Sequence, residues 1–315
     1  MSVTDTVGCM LCPRECGADR INDTGYCLVG RDPVVSRAAL HMWEEPCISG
    51  ENGSGAVFFA GCNMGCVFCQ NYDISRGRIG KAITADRLTQ IYHELEDKGA
   101  NNINLVTADI FLPVIRQTII QAKAEGVRIP FVLNTSSYIG VDALKSMEGL
   151  IDIYLADMKY IRDEDAVRYS RAKGYVEVAG AAIDEMVRQQ PECILDDRGV
   201  MLRGVMVRHM LMPGMLIQAK LITRYLYKRY GDRIYISLMN QYTPNGHLKD
   251  YPEIDRRVGD REYRSLVRYA QDMGVVNAYI QTEDTADAAY IPDFDLTGVE
   301  SGDQIQGLYL SGIKT

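Results

Sequence analysis

Three cysteines stand within eight residues in Gly61-Cys62-Asn63-Met64-Gly65-Cys66-Val67-Phe68-Cys69-Gln70-Asn71, spaced C-x3-C-x2-C. Thiolates are the ligands of iron–sulfur clusters, and a cubane normally takes four of them. Three on one tight loop leave one iron with an open position, which is what a reactive metal site needs. A zinc knuckle or a group of buried thiols is the other reading of such a trio.

A second set precedes it. Cys9, Cys12, Cys16 and Cys27 follow C-x2-C-x3-C-x10-C. Four soft ligands of this kind close a tetrahedral zinc site or hold a second [4Fe-4S] cluster, and spacing alone does not choose between them. Residues 1–50 are rich in Gly, Cys, Asp and Arg and read as a separate N-terminal unit with little core, so metal binding would supply much of its folding energy. Of nine cysteines only Cys47 and Cys193 lie outside the two sets, and both read as small inert thiols.

The elements that must position these ligands alternate from Ala56 onward. Strand-like runs cover 57–60, 103–107, 130–134, 151–158, 205–212 and 234–239, being short, apolar and bounded by Gly, Pro or polar residues. Between them lie helical patterns. Thr84 caps one that carries Leu88, Ile91 and Leu95 and closes at Gly99, and others cover 113–124 and 141–147. The stretch 163–190 reads as two helices broken near Gly174, and 215–230 and 260–273 complete the series. Six β–α units in sequence predict an α/β fold with parallel strands and right-handed crossovers, a partial (β/α)6 barrel open on one side. This barrel is expected over residues 51–283. Residues 278–282 read as an edge strand or seventh unit, and 284–315 as an acidic tail without a legible mechanism.

In such barrels the chemistry sits at the carboxyl ends of the strands. Those ends carry Thr107-Ala108-Asp109, Asn134-Thr135-Ser136, Asp157-Met158-Lys159, Arg208-His209 and Asn240-Gln241-Tyr242. Any one suits a solvated cap, but the set at successive strand ends points to a shared site. Asp157 can accept from ribose hydroxyls, Lys159 can pair with a carboxylate, and Asn134 offers both donor and acceptor. Arg208 suits a bidentate grip on a carboxylate, and His209 a proton relay or a satisfied core position. Phe68 suits an adenine face or a cover for the cluster. Trp43 and Glu44 read as a substrate mouth or a solvated turn before Pro46.

The remaining composition narrows the class. At 47% hydrophobic and 24% charged residues the chain is of ordinary globular type, and its net charge of −8, without a basic tract, gives no footprint for nucleic acid. No apolar stretch reaches the length of a membrane span, and the N-terminus lacks the pattern of a signal peptide. A cytoplasmic, low-oxygen setting is expected.

The cluster loop and the strand before it resemble the radical S-adenosylmethionine (SAM) superfamily. Within it, the chain is similar to the pyruvate formate-lyase activating enzymes, and above all to their PflX-like group. The resemblance is carried by Leu11-Cys12-Pro13-Arg14-Glu15-Cys16-Gly17, Trp43-Glu44-Glu45-Pro46, Phe68-Cys69-Gln70-Asn71-Tyr72, the 102–107 and 152–160 strands, and Arg208-His209. It implies that Cys62, Cys66 and Cys69 hold a SAM-binding [4Fe-4S] cluster. It also implies that Asn134, Asp157 and Lys159 lie near SAM, and that Gln241 belongs to the strand on the adenine side. Where the activating enzymes carry Gly-Gly-Glu after the second strand, this chain has Val106-Thr107-Ala108-Asp109, which offers Asp109 or Thr107 to the SAM amino group. The four-cysteine unit precedes the SAM cysteines, whereas activating enzymes with an extra cluster domain carry it after them.

The function so implied is reductive cleavage of SAM to methionine and a 5′-deoxyadenosyl radical. The radical would then take a hydrogen atom from a protein, peptide or small metabolite, activation of a glycyl radical enzyme included. The partners would be a low-potential donor of flavodoxin or ferredoxin type and that substrate. On residues alone, a non-catalytic iron–sulfur electron carrier and a zinc scaffold remain open.

Overall fold

Short β-branched runs and amphipathic segments become, respectively, the strands and covering helices of one open sheet. The computed structural model describes residues 8–76, 79–281 and 292–300. In chain order the elements are β1 (Val34–His41), α1 (Pro46–Ser49), β2 (Ser54–Phe59), α2 (Tyr72–Ser75), β3 (Lys81–Ala82), α3 (Ala85–Asp97), β4 (Ile103–Val106), α4 (Leu112–Glu125), β5 (Phe131–Thr135) and α5 (Val141–Lys145). Then come β6 (Ile153–Asp157), α6 (Asp163–Ser170), α7 (Tyr175–Gln189), β7 (Ile194–Leu195), β8 (Met201–Met210), α8 (Leu216–Tyr230), β9 (Tyr235–Met239), α9 (Asp260–Asp272) and β10 (Ala278–Ile280).

The sheet order is β10-β9-β8-β6-β5-β4-β2-β1-β3. From β2 to β10 every neighbour in that path is parallel, and six helix-bearing units connect them. The two ends of the path do not pair with each other among the described residues, so the barrel is partial, as expected. The last run is settled as an edge strand, parallel to β9; its final residue, Thr282, lies outside the described residues, as do residue 283 of the expected barrel and 284–291 and 301–315 of the expected tail.

Strands in such a sheet are buried on both faces, which explains their unbroken apolar runs. The outward faces meet Leu88, Ile91 and Leu95 of α3, Ile115 and Ile119 of α4, Ile183 and Met186 of α7, and Ile222 and Leu226 of α8, all buried. Each contributes roughly 1.5–3 kcal/mol of burial. Thr84 caps α3 as anticipated, its hydroxyl accepting the Arg87 amide at 3.1 Å. Gly174 takes φ +63° between α6 and α7, a conformation that separates the two helices.

β1 was not anticipated. It lies within residues 1–50 of the sequence, yet it pairs antiparallel with β2 from Val35 to His41 and so extends the sheet. Residues 292–300 then cover its outer edge. The Ala38 amide donates to the Thr297 carbonyl at 2.8 Å, the Leu296 amide to the Ser36 carbonyl at 3.1 Å, and Arg37 pairs with Asp295 at 2.8 Å. Gly298 is required there, since at φ +70° a Cβ would stand 2.0 Å from the Ala38 carbonyl oxygen.

Inside the sheet the residues are layered. Val132, Ile153, Leu155 and Met206 point inward and pack against Cys47 and Ile48 of α1, which plugs the barrel. Asn101 and Asn102 side chains hold that plug by donating to the Ser49 and Ile48 carbonyls at 2.6 and 2.8 Å. Cys47 is buried in this layer and burial pushes its thiol up to about 12, in keeping with an inert role. Above the apolar layer comes a polar one, and above that the cluster loop.

Candidate active site

The loop that follows β2 turns at Gly61, where φ is +83° and a Cβ would lie 2.7 Å from the Cys27 carbonyl oxygen. It carries Cys62, Cys66 and Cys69 onto the wall of a cavity of about 250 Å³ at the carboxyl ends of the strands. Each sulfur has a donor. The Met64 amide reaches Cys62 Sγ at 3.3 Å, Ser170 Oγ reaches Cys66 Sγ at 2.9 Å, and the Ser75 hydroxyl bonds Cys69. Tyr160 stands behind Ser170 at 2.6 Å and fixes its hydroxyl toward the sulfur. Burial pushes the Cys62 and Cys66 thiols up to about 11, so a metal must displace their protons to bind. Three buried sulfurs met by N–H and O–H donors fit the charge of a thiolate-held cluster, whose electronics such donors tune.

The rest of the wall comes from successive strand ends, the cluster loop and the segment between β1 and α1. Phe68, Asn134, Asp157, Lys159 and Gln241 line the cavity, as do Trp43, Glu44 and Arg208. Asp157 ends β6, and its carbonyl, with that of Ser136, accepts from the Tyr175 hydroxyl at 3.0 and 2.9 Å. Lys159 Nζ donates to Asp157 Oδ2 at 2.6 Å. Burial disfavours ionisation of Asp157, but Arg208 and Lys159 outweigh it and hold the carboxyl below its usual range. Lys159 is likewise held charged against burial by Asp157 and by its proximity to Cys66. Phe68 packs 6.0 Å from Tyr242, and the Asn245 amide donates to the Val67 and Cys69 carbonyls at 3.1 and 3.3 Å, tying the loop after β9 to the cluster loop.

Arg208 lies on the cavity wall with partners inside the protein. Its three nitrogens are all engaged within the protein, Nε to Asp157 Oδ1 at 2.9 Å, Nη1 to Glu44 Oε1 at 2.9 Å and Nη2 to Asn134 Oδ1 at 2.7 Å. Glu44 Oε2 also accepts from Asn134 at 3.0 Å and Asn104 at 3.2 Å. A guanidinium already forked between two carboxylates organises the floor of the cavity, with three of its five N–H donors engaged there. The neighbouring Glu45 is buried, accepts from Ser237 at 2.8 Å, and is pushed up to about 7 by burial.

Two expected residues do not line the cavity. His209 alternates with Arg208 on β8 and so points to the helix side, where Nδ1 donates to the Met158 carbonyl at 2.8 Å. Burial lowers its pKa to about 4 and keeps it neutral, so it is a core histidine. Asp109 lies in the turn after β4, buried behind Thr135, whose hydroxyl donates to Oδ2 at 2.8 Å. Thr107 is on the wall in its place, in a left-handed conformation with φ +63°. Residues not singled out from the sequence are Ser75 and Ser170, the donors to sulfur, and Met210 and Met212, which line the cavity beyond Arg208. The methionines had a signal in the two-residue period from Arg208; the serines had none.

Cys9, Cys12, Cys16 and Cys27 line a second, small cavity in the N-terminal unit. Among the described residues no three or more His, Cys, Asp or Glu side chains stand as a group that could hold a metal ion.

A family model described as the radical SAM superfamily matches residues 56–215, just over half of the chain. The chain belongs to the radical SAM superfamily. Membership implies a [4Fe-4S] cluster and SAM, radical chemistry on a substrate, and a reductant. This radical SAM protein is 28% identical over 270 residues to the uncharacterized protein MJ0674 of Methanocaldococcus jannaschii, covering 84% of this chain and 74% of that one. Streptococcus suis SuiB bound to precursor peptide SuiA is similar over 71% of this chain and 47% of its own, at 12% identity and a TM-score of 0.48. A domain of a pyruvate-formate lyase-activating enzyme from Bacteroides vulgatus is similar over 54% of this chain and 91% of its own, at 11% identity and a TM-score of 0.39. The chain spans about half the length of the SuiB chain it matches. No helix among the described residues is long and apolar enough to cross a membrane.

Proposed function

We propose that this radical SAM protein holds its cluster on Cys62, Cys66 and Cys69 and binds SAM against Phe68, Asn134, Asp157, Lys159 and Gln241. When bound, cluster and SAM supply a one-electron cleavage of the sulfonium that leaves methionine and, after hydrogen abstraction from a substrate, 5′-deoxyadenosine. The observation that carries this reading is the meeting of three donor-capped sulfurs, Phe68 of the cluster loop and four strand-end side chains on one cavity.

The chain's own residues bind, orient and exclude. Asp157 offers a carboxylate to ribose hydroxyls, held ionised by Arg208 and Lys159. Phe68 and Tyr242 shield the sulfurs from water on the β9 side. Thr107 offers its hydroxyl where Asp109 is turned away. Trp43 and Pro292 border the mouth, through which the substrate, a protein segment, peptide or metabolite, reaches the cavity. A flavodoxin- or ferredoxin-type donor supplies the electron.

Anaerobic reconstitution with iron and sulfide, followed by a low-potential reductant and SAM, should give 5′-deoxyadenosine. Cys66→Ala should abolish it. A brown, reduced wild-type protein that neither binds SAM by calorimetry nor cleaves it would refute the proposal and leave an electron carrier.

A further inference from the structure

One donor to the cavity sulfurs comes from far along the chain. The Met64 amide that reaches Cys62 belongs to the cluster loop itself, and Ser75, which bonds Cys69, follows in the short helix α2. Ser170 meets Cys66 Sγ across 104 residues, at 2.9 Å against 3.3 Å for the Met64 amide. Ser170 is fully buried, and a hydroxyl taken out of water is destabilising unless it is bonded. Alanine would occupy the position without that penalty, so packing does not explain the hydroxyl.

The order of the protons is fixed once iron is bound. A thiolate ligand has no proton to give, so Ser170 donates to Cys66 Sγ. The Tyr160 hydroxyl, 2.6 Å from Ser170 Oγ, then donates to Ser170, whose one proton is already used. Tyr160 is itself buried and held edge-on against the Tyr175 ring at 5.4 Å. The Tyr175 hydroxyl bonds the Ser136 and Asp157 carbonyls and accepts the Lys159 amide. A chain of buried groups thus runs from the ends of β5 and β6 through Tyr175, Tyr160 and Ser170 to a single sulfur. Linked hydrogen bonds polarise one another, so Tyr160 strengthens what Ser170 delivers.

Main chain, and not the serine side chain, sets the distance. Ser170 is the last residue of α6, and Arg171 stops that helix at φ +53°. The Val67 amide donates to the Tyr169 carbonyl at 2.9 Å. Arg14 bridges the two segments, donating to the Asn63 and Met64 carbonyls of the cluster loop and to the Ser170 and Arg171 carbonyls. None of these bonds uses the Ser170 hydroxyl, so its removal leaves the loop docked on α6.

We propose that Ser170, backed by Tyr160, is a positioning residue that raises the reduction potential of the cluster through Cys66. This rests on the reading of Cys62, Cys66 and Cys69 as the cluster ligands. Reduction adds one electron from the low-potential donor and makes the sulfurs more negative. An O–H aimed at one of them therefore stabilises the reduced form more than the oxidised form. No proton is transferred, since each hydroxyl keeps its own. The hydroxyl thus eases electron entry and takes the same amount from the driving force for cleaving the sulfonium.

The test is a redox titration of the full chain, loaded anaerobically with iron and sulfide and read by electron paramagnetic resonance. Ser170→Ala should lower the equilibrium constant for reduction about tenfold, equal to about 59 mV. Tyr160→Phe should lower it in the same direction by about two- to threefold. Iron content and the spectral response to SAM should match wild type in both. In heavy water, electron–nuclear double resonance on the reduced protein should show a strongly coupled exchangeable deuteron that Ser170→Ala lacks. A fully loaded Ser170→Ala with an unchanged or higher potential overturns the proposal. So does a lowered potential with that deuteron retained, which would trace the effect to packing. Should Ser170→Ala fail to take up iron, Tyr160→Phe decides alone, and a constant within about 1.3-fold of wild type overturns the relay. Failure of the underlying reading looks different, as Cys66→Ala would keep its full iron and wild type would show no response to SAM.

Discussion

Replacing Arg208 with methionine tests whether its guanidinium belongs to the floor of the cavity. The side chains of Arg208, Glu44 and Asp157 are 12%, 13% and 13% exposed, so their interactions are largely desolvated. The substitution removes hydrogen bonds to Asp157, Glu44 and Asn134 at once. Glu44 retains the Asn134 and Asn104 amides and Asp157 retains Lys159, but two carboxylates then share one cation. Breaking a buried pair by deleting one partner costs about 3–5 kcal/mol, most of it from the charges left behind. Urea denaturation of the iron-free protein, followed by circular dichroism, should show a loss of that size at pH 7. Adding Glu44→Gln to the variant should restore about 1–2 kcal/mol, because it removes one of the uncompensated charges. The pH dependence has a fixed sign. Asp157 is held below its unfolded value near 3.8, so its share of stability is complete above that pH and disappears as pH falls through the lower folded value. The difference between wild type and variant should therefore shrink in acid. A cost below about 1 kcal/mol at pH 7, unchanged by Glu44→Gln, would refute the assignment and return Arg208 to the substrate.

Two further outcomes turn on buried groups with opposite signs. Glu45 is raised from 4.5 to about 7, so the folded state loses stability as pH climbs from 4.5 toward 7, by about 3 kcal/mol in all. Glu45→Gln keeps the Ser237 hydrogen bond and should remove that decline in denaturation curves taken across pH; an unchanged slope contradicts the assignment. His209 is lowered from 6.5 to about 4, so stability is lost as pH falls from 6.5 to 4, again by about 3 kcal/mol. His209→Gln should abolish that loss and leave SAM affinity unaltered, and a folded variant that no longer binds SAM would put His209 in the cavity after all.

The barrel was legible because parallel strands bury both faces and therefore write themselves as apolar runs closed by polar ends. Thr84, Gly174 and the glycine stops of the helices were equally local signals. β1 was not legible, since it lies beside the cysteine-rich stretch and interrupts its apolar residues with Ser36 and Arg37, whose partners include Asp295 at the other end of the chain. Distance along the chain also hid the use of Arg208, because Glu44 precedes it by 164 residues. The same holds for Ser170, which reaches Cys66 across 104. His209 is a different case. Within a strand adjacent side chains point to opposite faces, so the pair Arg208-His209 within β8 carried its own answer. Asp109 shows the limit of motif substitution, because occupying the position of a missing carboxylate does not aim the side chain, and the turn after β4 aims it into the core.

The segment at 292–300 has a bearing on synthesis. Ribosomes deliver β1 early, whereas the residues that satisfy the amides and carbonyls along its outer border emerge some 250 positions later. Until then that border is an unpaired template for any other nascent strand. Fusions or truncations at the far end of the polypeptide would thus be felt first at its beginning, as stickiness of newly made chains.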